Sequence, residues 1–217
     1  MNRKTTFVAI CGLVAGLALA AGRTNYLVDD PYERDVLTIT SVAPLETIVT
    51  TTQSVKGTID VDPANVLDKP VATFELDAAK LRTGIAMRDE HLRGKGWLEV
   101  DKYPKVTLAL KAIKSPAKTL ALTPKQPTEL DATADLTLHG VTQEVPLKLR
   151  VTLIPGADET AHRLPGDLLR IEGEFDFLLS DYGVNIPEPA LLAVSNRQTA
   201  KVWIMASTQR LVPKEEK

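Results

Sequence analysis

Arg88, Asp89, His91, Arg93 and Lys95 crowd one short stretch of the chain, and Trp97 and Tyr103 close it before Pro104. Residues of these types support three kinds of chemistry. Asp89 can orient His91 as an acid–base pair, although no nucleophile stands beside them. Arg88, Arg93, Lys95 and Lys102 can form a cationic mouth for an anionic headgroup, arginine being suited to bidentate contact with phosphate. The same residues can instead satisfy one another as a polar cap, with Arg88 paired to Glu90 or Asp101. Trp97 and Tyr103 either anchor the stretch to the body of the protein or line an entrance beside it.

Other chemistry is sparsely represented. The chain has no GxSxG elbow, P-loop or HExxH motif. Its three histidines, His91, His139 and His162, are far apart and lack partners at metal-ligand spacing. The one cysteine, Cys11, lies in an apolar N-terminal run, so the domain that follows has no thiol for a disulfide, a metal or catalysis. No metal or cofactor is expected. A formal charge of −2 gives no electrostatic case for nucleic acid.

The elements that must position these residues are strands. Val36–Thr40, Glu46–Lys56, Gly57–Asp62 and Val71–Leu76 are rich in β-branched residues or alternate in polarity. Val106–Ile113, Leu130–Leu138, Val145–Ile154, Leu168–Leu178 and Gln198–Leu211 repeat the pattern, and a hairpin is expected around Ala117–Leu122. His139-Gly140 reads as a tight turn, and Asp181-Tyr182-Gly183 as a turn-like break. Between Leu81 and Tyr103 the alternation stops, and Ala86–Arg93 holds good helix formers, predicting a short helix. About eight antiparallel strands with one helical insert describe an all-β barrel or sandwich. A barrel of that size is just wide enough for one small ligand. The rows Val106-Leu108-Leu110 and Phe175-Phe177 are the candidate lining of such a pocket.

The N-terminus predicts export. Asn2-Arg3-Lys4 precedes the apolar run Phe7–Ala21, and Ala18-Leu19-Ala20 has signal-peptidase spacing. The run is about 15 residues, shorter than the roughly 20 that span a bilayer comfortably. The expected layout is a signal peptide over 1–22, an irregular lead-in over 23–35, the barrel over 36–211 and a tail over 212–217. An uncleaved anchor is the alternative, and either places the domain outside the cytoplasmic membrane, periplasmic or secreted.

Four blocks of the chain resemble the YceI-like family of bacterial envelope proteins, in the family's order. They are VKGTIDVDPANV with ATFELDAAKLRTG, then MRDEHLRGKGWLEVDKYPKVTL, then ADLTLHGVTQEVPLKLRVT, and last LSDYGVNIPE. The last block usually carries an Arg before Ser-Asp, where this chain has Leu179. The resemblance implies an extended, lipocalin-like antiparallel barrel with the insert across one end. It further implies a binding protein, not an enzyme, that holds an apolar chain: an isoprenoid, a quinone tail or a prenyl phosphate. The expected binding residues are Arg88, Asp89, His91, Arg93, Trp97, Tyr103, Val106, Leu108, Leu110, Phe175, Phe177, Asp181 and Tyr182. Two other functions stay open: an enzyme using His91 and Asp89, and an envelope stress-response or interaction module with a filled core. A homodimer is compatible with the sequence.

Overall fold

The structure is a computed structural model that describes residues 22–212. The expected signal peptide and C-terminal tail, apart from Gly22 and Val212, lie outside the described residues. Ten strands run antiparallel: β1 Thr24–Val28, β2 Val36–Val42, β3 Thr47–Thr52, β4 Lys56–Val61, β5 Val71–Asp77, β6 Lys105–Lys114, β7 Pro127–Leu138, β8 Val141–Ile154, β9 Leu168–Leu178 and β10 Arg197–Ser207. One helix, α1, spans Ala86–Arg93, the residues the sequence predicts.

The strand order reduces to a simple meander. β1 and β2 follow each other along the same edge of β10, with Leu27 opposite Ser207 and Val36 opposite Trp203. On their other side β4 lies against β1 and β3 against β2, placing Thr24 opposite Val61 and Leu37 opposite Thr52. β1 with β2, and β3 with β4, each make one long strand broken once. The ten segments therefore fill eight positions, in chain order, around a closed antiparallel barrel. Closure leaves no long edge strand to template pairing with another chain.

The break after β1 corrects the expected irregular lead-in over 23–35. Residues 24–28 are a barrel strand, burying Tyr26 and Val28. Five residues are too few to establish a period, so the pairing with β4 and β10 decides. The break itself is a turn at Asp30–Glu33, where Asp30 Oδ1 accepts from the Tyr32 N–H at 3.1 Å. Its carboxylate then holds Arg34 Nε at 2.7 Å and Arg163 Nη1 at 2.5 Å, tying the break to the β8–β9 connection.

Inside and outside alternate along most of the strand length, as the pleat requires. On β10, Ala200, Ile204 and Ala206 are buried, whereas Trp203 is 43% exposed. The outer wall carries ion pairs between neighbouring strands, such as Lys201–Glu174 at 3.3 Å and Arg150–Glu129 at 2.6 Å. This wall faces water, the reverse of a membrane-spanning barrel with its apolar outer band. On β6 a bulge between Leu110 and Ala112 shifts the register, and Ile113 turns inward instead of Ala112.

The two ends of the barrel differ. At one end the 115–126 segment folds across the β4–β5 loop. Val66 N–H donates to Leu120 O and Leu122 N–H to Pro63 O, both at 2.8 Å, and the Leu122 side chain is buried. The expected Ala117–Leu122 hairpin is therefore a floor: its backbone groups pair with residues 63–66, not with each other. The opposite end gathers the β2–β3 turn, the whole 78–104 insert, the His139-Gly140 turn and the β9–β10 connection.

Candidate functional site

Between floor and insert lies a cavity of about 490 Å³. Its wall is contributed by β2–β10, and includes Leu37, Phe74, Leu136, Leu147 and Ile171. The expected rows Val106-Leu108-Leu110 and Phe175-Phe177 both line it. Gly173 lines it as well, and makes room for its neighbours: a Cβ there would sit 3.0 Å from Val202 Cγ1 and 3.2 Å from Leu149 Cδ2.

Helix α1 closes part of the open end and divides the polar cluster by helical geometry. Residues three and four apart share a face, so Arg88, His91 and Leu92 point together into the cavity mouth. Asp89 and Arg93 lie on the adjacent face and do not line the cavity, which corrects their expected role. Asp89 is 5% exposed and accepts from the Thr83 N–H at 2.6 Å and the Thr83 hydroxyl at 2.7 Å. Burial by itself raises its pKa, but these two hydrogen bonds and the nearby Arg82 and Arg93 charges outweigh it and lower the value. Asp89 thus buckles the helix start to the Thr83-Gly84 turn. It does not orient His91, because positions two apart on a helix face different ways.

Arg88 meets Glu46, not Glu90 or Asp101. Its Nη2 donates to Glu46 Oε1 at 2.5 Å, across the mouth from the lid helix to the β2–β3 turn. Both side chains line the cavity and stay partly exposed. Glu46 is the charged residue of the mouth that sequence reasoning missed. Its partner is 42 positions away and no local pattern marks it.

The two aromatic anchors separate. Trp97 lines the cavity together with the buried Leu98. Tyr103 stands outside it: its ring meets that of His139 edge-on at 4.5 Å, and Lys102 Nζ lies over the Tyr103 ring, 4.8 Å from its centroid. His139 Nδ1 donates to Tyr182 O at 3.0 Å, and its Nε2 lies 3.2 Å from Glu99 Oε2. Tyr182 is fully buried with its ring edge-on to Phe177 at 5.9 Å, and Asp181 is exposed. Tyr103, Asp181 and Tyr182 therefore do not line the cavity. Tyr103 and Tyr182 lock the insert, the His139 turn and the β9–β10 connection into one cap. Leu179 is 8% exposed and lines the cavity, so the position where the resemblance leads one to expect an Arg adds apolar surface instead.

Among the described residues no cluster of three or more His, Cys, Asp or Glu is placed to hold a metal. What the arrangement can do is bury an apolar molecule. Its volume falls within the about 300–1,000 Å³ typical of small-molecule pockets. Polar groups are concentrated at the mouth, where they can meet a headgroup.

A closed eight-position antiparallel meander around an internal apolar cavity is the architecture of a lipocalin-like binding barrel. Residues 30–205 match the YceI-like domain, and the chain belongs to that family. It is 33% identical over 136 residues to a UPF0312 protein of Pseudomonas savastanoi pv. phaseolicola, a match covering 61% of this chain and 62% of that one. The fold is shared with BcnA of Burkholderia cenocepacia, at TM-score 0.63 and 18% identity over 82% of this chain and all (100%) of that one. It is shared equally with a polyisoprenoid binding domain from Saccharophagus degradans, at TM-score 0.62 and 17% identity over 86% of this chain and 99% of that one.

Proposed function

We propose that this protein sequesters or carries a long apolar chain of the polyisoprenoid type, such as a quinone tail or a prenyl phosphate, in the cell envelope. One observation carries the reading: the barrel interior is a cavity of about 490 Å³ walled by aliphatic and aromatic side chains. Each Å² of apolar surface that a ligand removes from water there contributes about 25 cal/mol before ordering costs. The structural likeness to a polyisoprenoid binding domain supports the ligand class. Export rests on the basic and apolar N-terminal pattern of residues 1–22.

Arg88 and His91 at the mouth select the headgroup in this reading, while the β-strand rows hold the tail. The role is binding without turnover, since Asp89 is committed to Thr83 and leaves His91 without an orienting carboxylate. Organic extraction of protein purified from its native envelope, followed by mass spectrometry, tests the proposal. A stoichiometric isoprenoid lipid is the expected result. Protein that carries no lipid and takes up no prenyl chain on incubation would overturn it.

A further inference from the structure

Large apolar side chains stand exposed on three segments around the cavity mouth. Val42 and Leu45 at the β2–β3 turn are 67% and 74% exposed, Ile85 and Met87 at the start of the lid helix 50% and 67%, and Leu191 and Leu192 on the β9–β10 connection 56% and 58%. These three segments are joined. Leu45 N–H donates to Leu192 O at 3.0 Å, and Arg88, next to Met87, bonds Glu46, next to Leu45. The same segments line the cavity just beneath, through Glu46, Arg88, Ala190 and Ala193. The far end is more charged: it is closed by Leu122 and Val66, its exposed loop residues include Asp68, Lys69, Lys118, Lys125 and Asp158, and Val71 beside them is 55% exposed.

We propose that this rim is a membrane-docking surface, which sets the cavity mouth into the interfacial layer of a lipid bilayer so that an apolar chain passes between bilayer and barrel without crossing water. The inference rests on the proposed chain-binding function and adds where the chain is exchanged. Continuity decides the occupant. The exposed apolar side chains stand on the same segments that line a cavity suited to a molecule that dissolves in bilayers. An exposed patch of large apolar side chains marks an interaction site, and its position around the entrance ties it to the ligand's source. Charges near the rim are of both signs, with Arg82 and Lys95 against Glu90 and Glu188. Docking is therefore driven by apolar contact and withstands salt that screens ionic attraction.

The test uses the full chain with Cys11→Ser, carrying a polarity-sensitive dye on one introduced cysteine: Met87→Cys, Leu192→Cys, or Ala121→Cys at the far end. Vesicles of phosphatidylcholine, and of phosphatidylethanolamine with phosphatidylglycerol, are added at low and high salt. Dyes at 87 and 192 should shift to the blue with both vesicle types and at both salt levels, while the dye at 121 should not. Adding Leu45→Glu should weaken the response at 87 about tenfold, the order expected for one lost buried leucine. No shift at 87 and 192, an equal shift at 121, or loss of the response at high salt would overturn the proposal. So would a shift that appears without vesicles as protein concentration rises, which identifies a second copy as the occupant. Prenyl-chain retention measured in vesicle-free solution separates the two readings. Retention without docking leaves the carrier function standing and removes the surface; docking without retention does the reverse.

Discussion

Arg88 on the lid helix and Glu46 on the β2–β3 turn, 42 residues apart, form an ion pair across the cavity mouth at 2.5 Å. The pair joins the two walls of the entrance, and it sets a condition on any anionic headgroup. Such a group competes with Glu46 for the guanidinium.

That condition makes the headgroup role measurable. Arg88→Ala should weaken capture of a prenyl phosphate about tenfold or more, the scale of a charge-assisted hydrogen bond, and leave capture of an uncharged prenyl chain nearly unchanged. Glu46→Gln should strengthen prenyl phosphate capture, because it removes the competing anion. Both side chains are partly exposed, so either change should alter folding stability by only about 0–1 kcal/mol. Equal effects on the two ligands would leave the pair as a latch on the lid and nothing more.

Filling the cavity should separate binding from folding. Leu108 points into the void from β6, so Leu108→Trp adds volume where no atoms stand and does not overpack the barrel. Its melting temperature should hold or rise while uptake of a prenyl chain falls at least about tenfold. Unchanged uptake, read by fluorescence displacement, would place the chain elsewhere.

Two aspartates beside the break in the wall shape the pH dependence of stability. Asp35 is 3% exposed, accepts from the Met205 N–H at 2.9 Å and sits near Asp30. Burial, aided by the Asp30 charge and opposed by the Met205 bond and the Arg163 and Arg34 charges, pushes its pKa from 3.8 up to about 6. The folded state therefore favours the protonated form. Its contribution is fully present below pH 3.8 and is lost as the pH rises through about 6. Asp30 is the opposite case: burial alone would raise it, but hydrogen bonds from Arg34, Arg163 and the Tyr32 N–H lower it to about 2. Its contribution is present above 3.8 and lost as the pH falls through about 2. Thermal melts should show stability declining between pH 4.5 and 7, and Asp35→Asn should flatten that decline, worth on the order of 2–3 kcal/mol. A wild-type profile that rises over this range would contradict the assignment.

The cap at the mouth end should depend on one glycine. Gly140 has φ +76°, and a Cβ there would lie 2.5 Å from Tyr103 Cε1. Gly140→Ala should destabilise the protein by about 1–3 kcal/mol, combining left-handed backbone strain with displacement of Tyr103 from His139. Denaturant unfolding checks it; a neutral result would mean the turn relaxes freely.

Much of the barrel was legible from alternation. Leu168–Leu178 and Ala86–Arg93 match β9 and α1 residue for residue, because period two over many residues and its interruption by helix formers are local facts. The rows Val106-Leu108-Leu110 and Phe175-Phe177 face the cavity for the same reason. β1 was not legible, since Thr24–Val28 is too short to show a period and is fixed by pairing with strands far along the chain.

The polar cluster marks the limit more sharply. Its composition identified the mouth end of the barrel, but not which side chains point inward. A helix turns about 100° per residue, so Arg88 and His91 face the cavity while Asp89, between them, turns to Thr83. Tyr103, Asp181 and Tyr182 have residue types suited to a binding site, yet folding puts the two tyrosines into the cap and leaves Asp181 exposed. Glu46 joined the mouth only when closure of the barrel brought the β2–β3 turn under the lid helix. The amino-acid sequence by itself determined the long alternating strands, the lid helix and the family, because each is written in local periodicity and motif order. The tertiary structure alone decided the void, its floor and the pairing at its entrance, because each depends on side chains that meet only when the sheet closes.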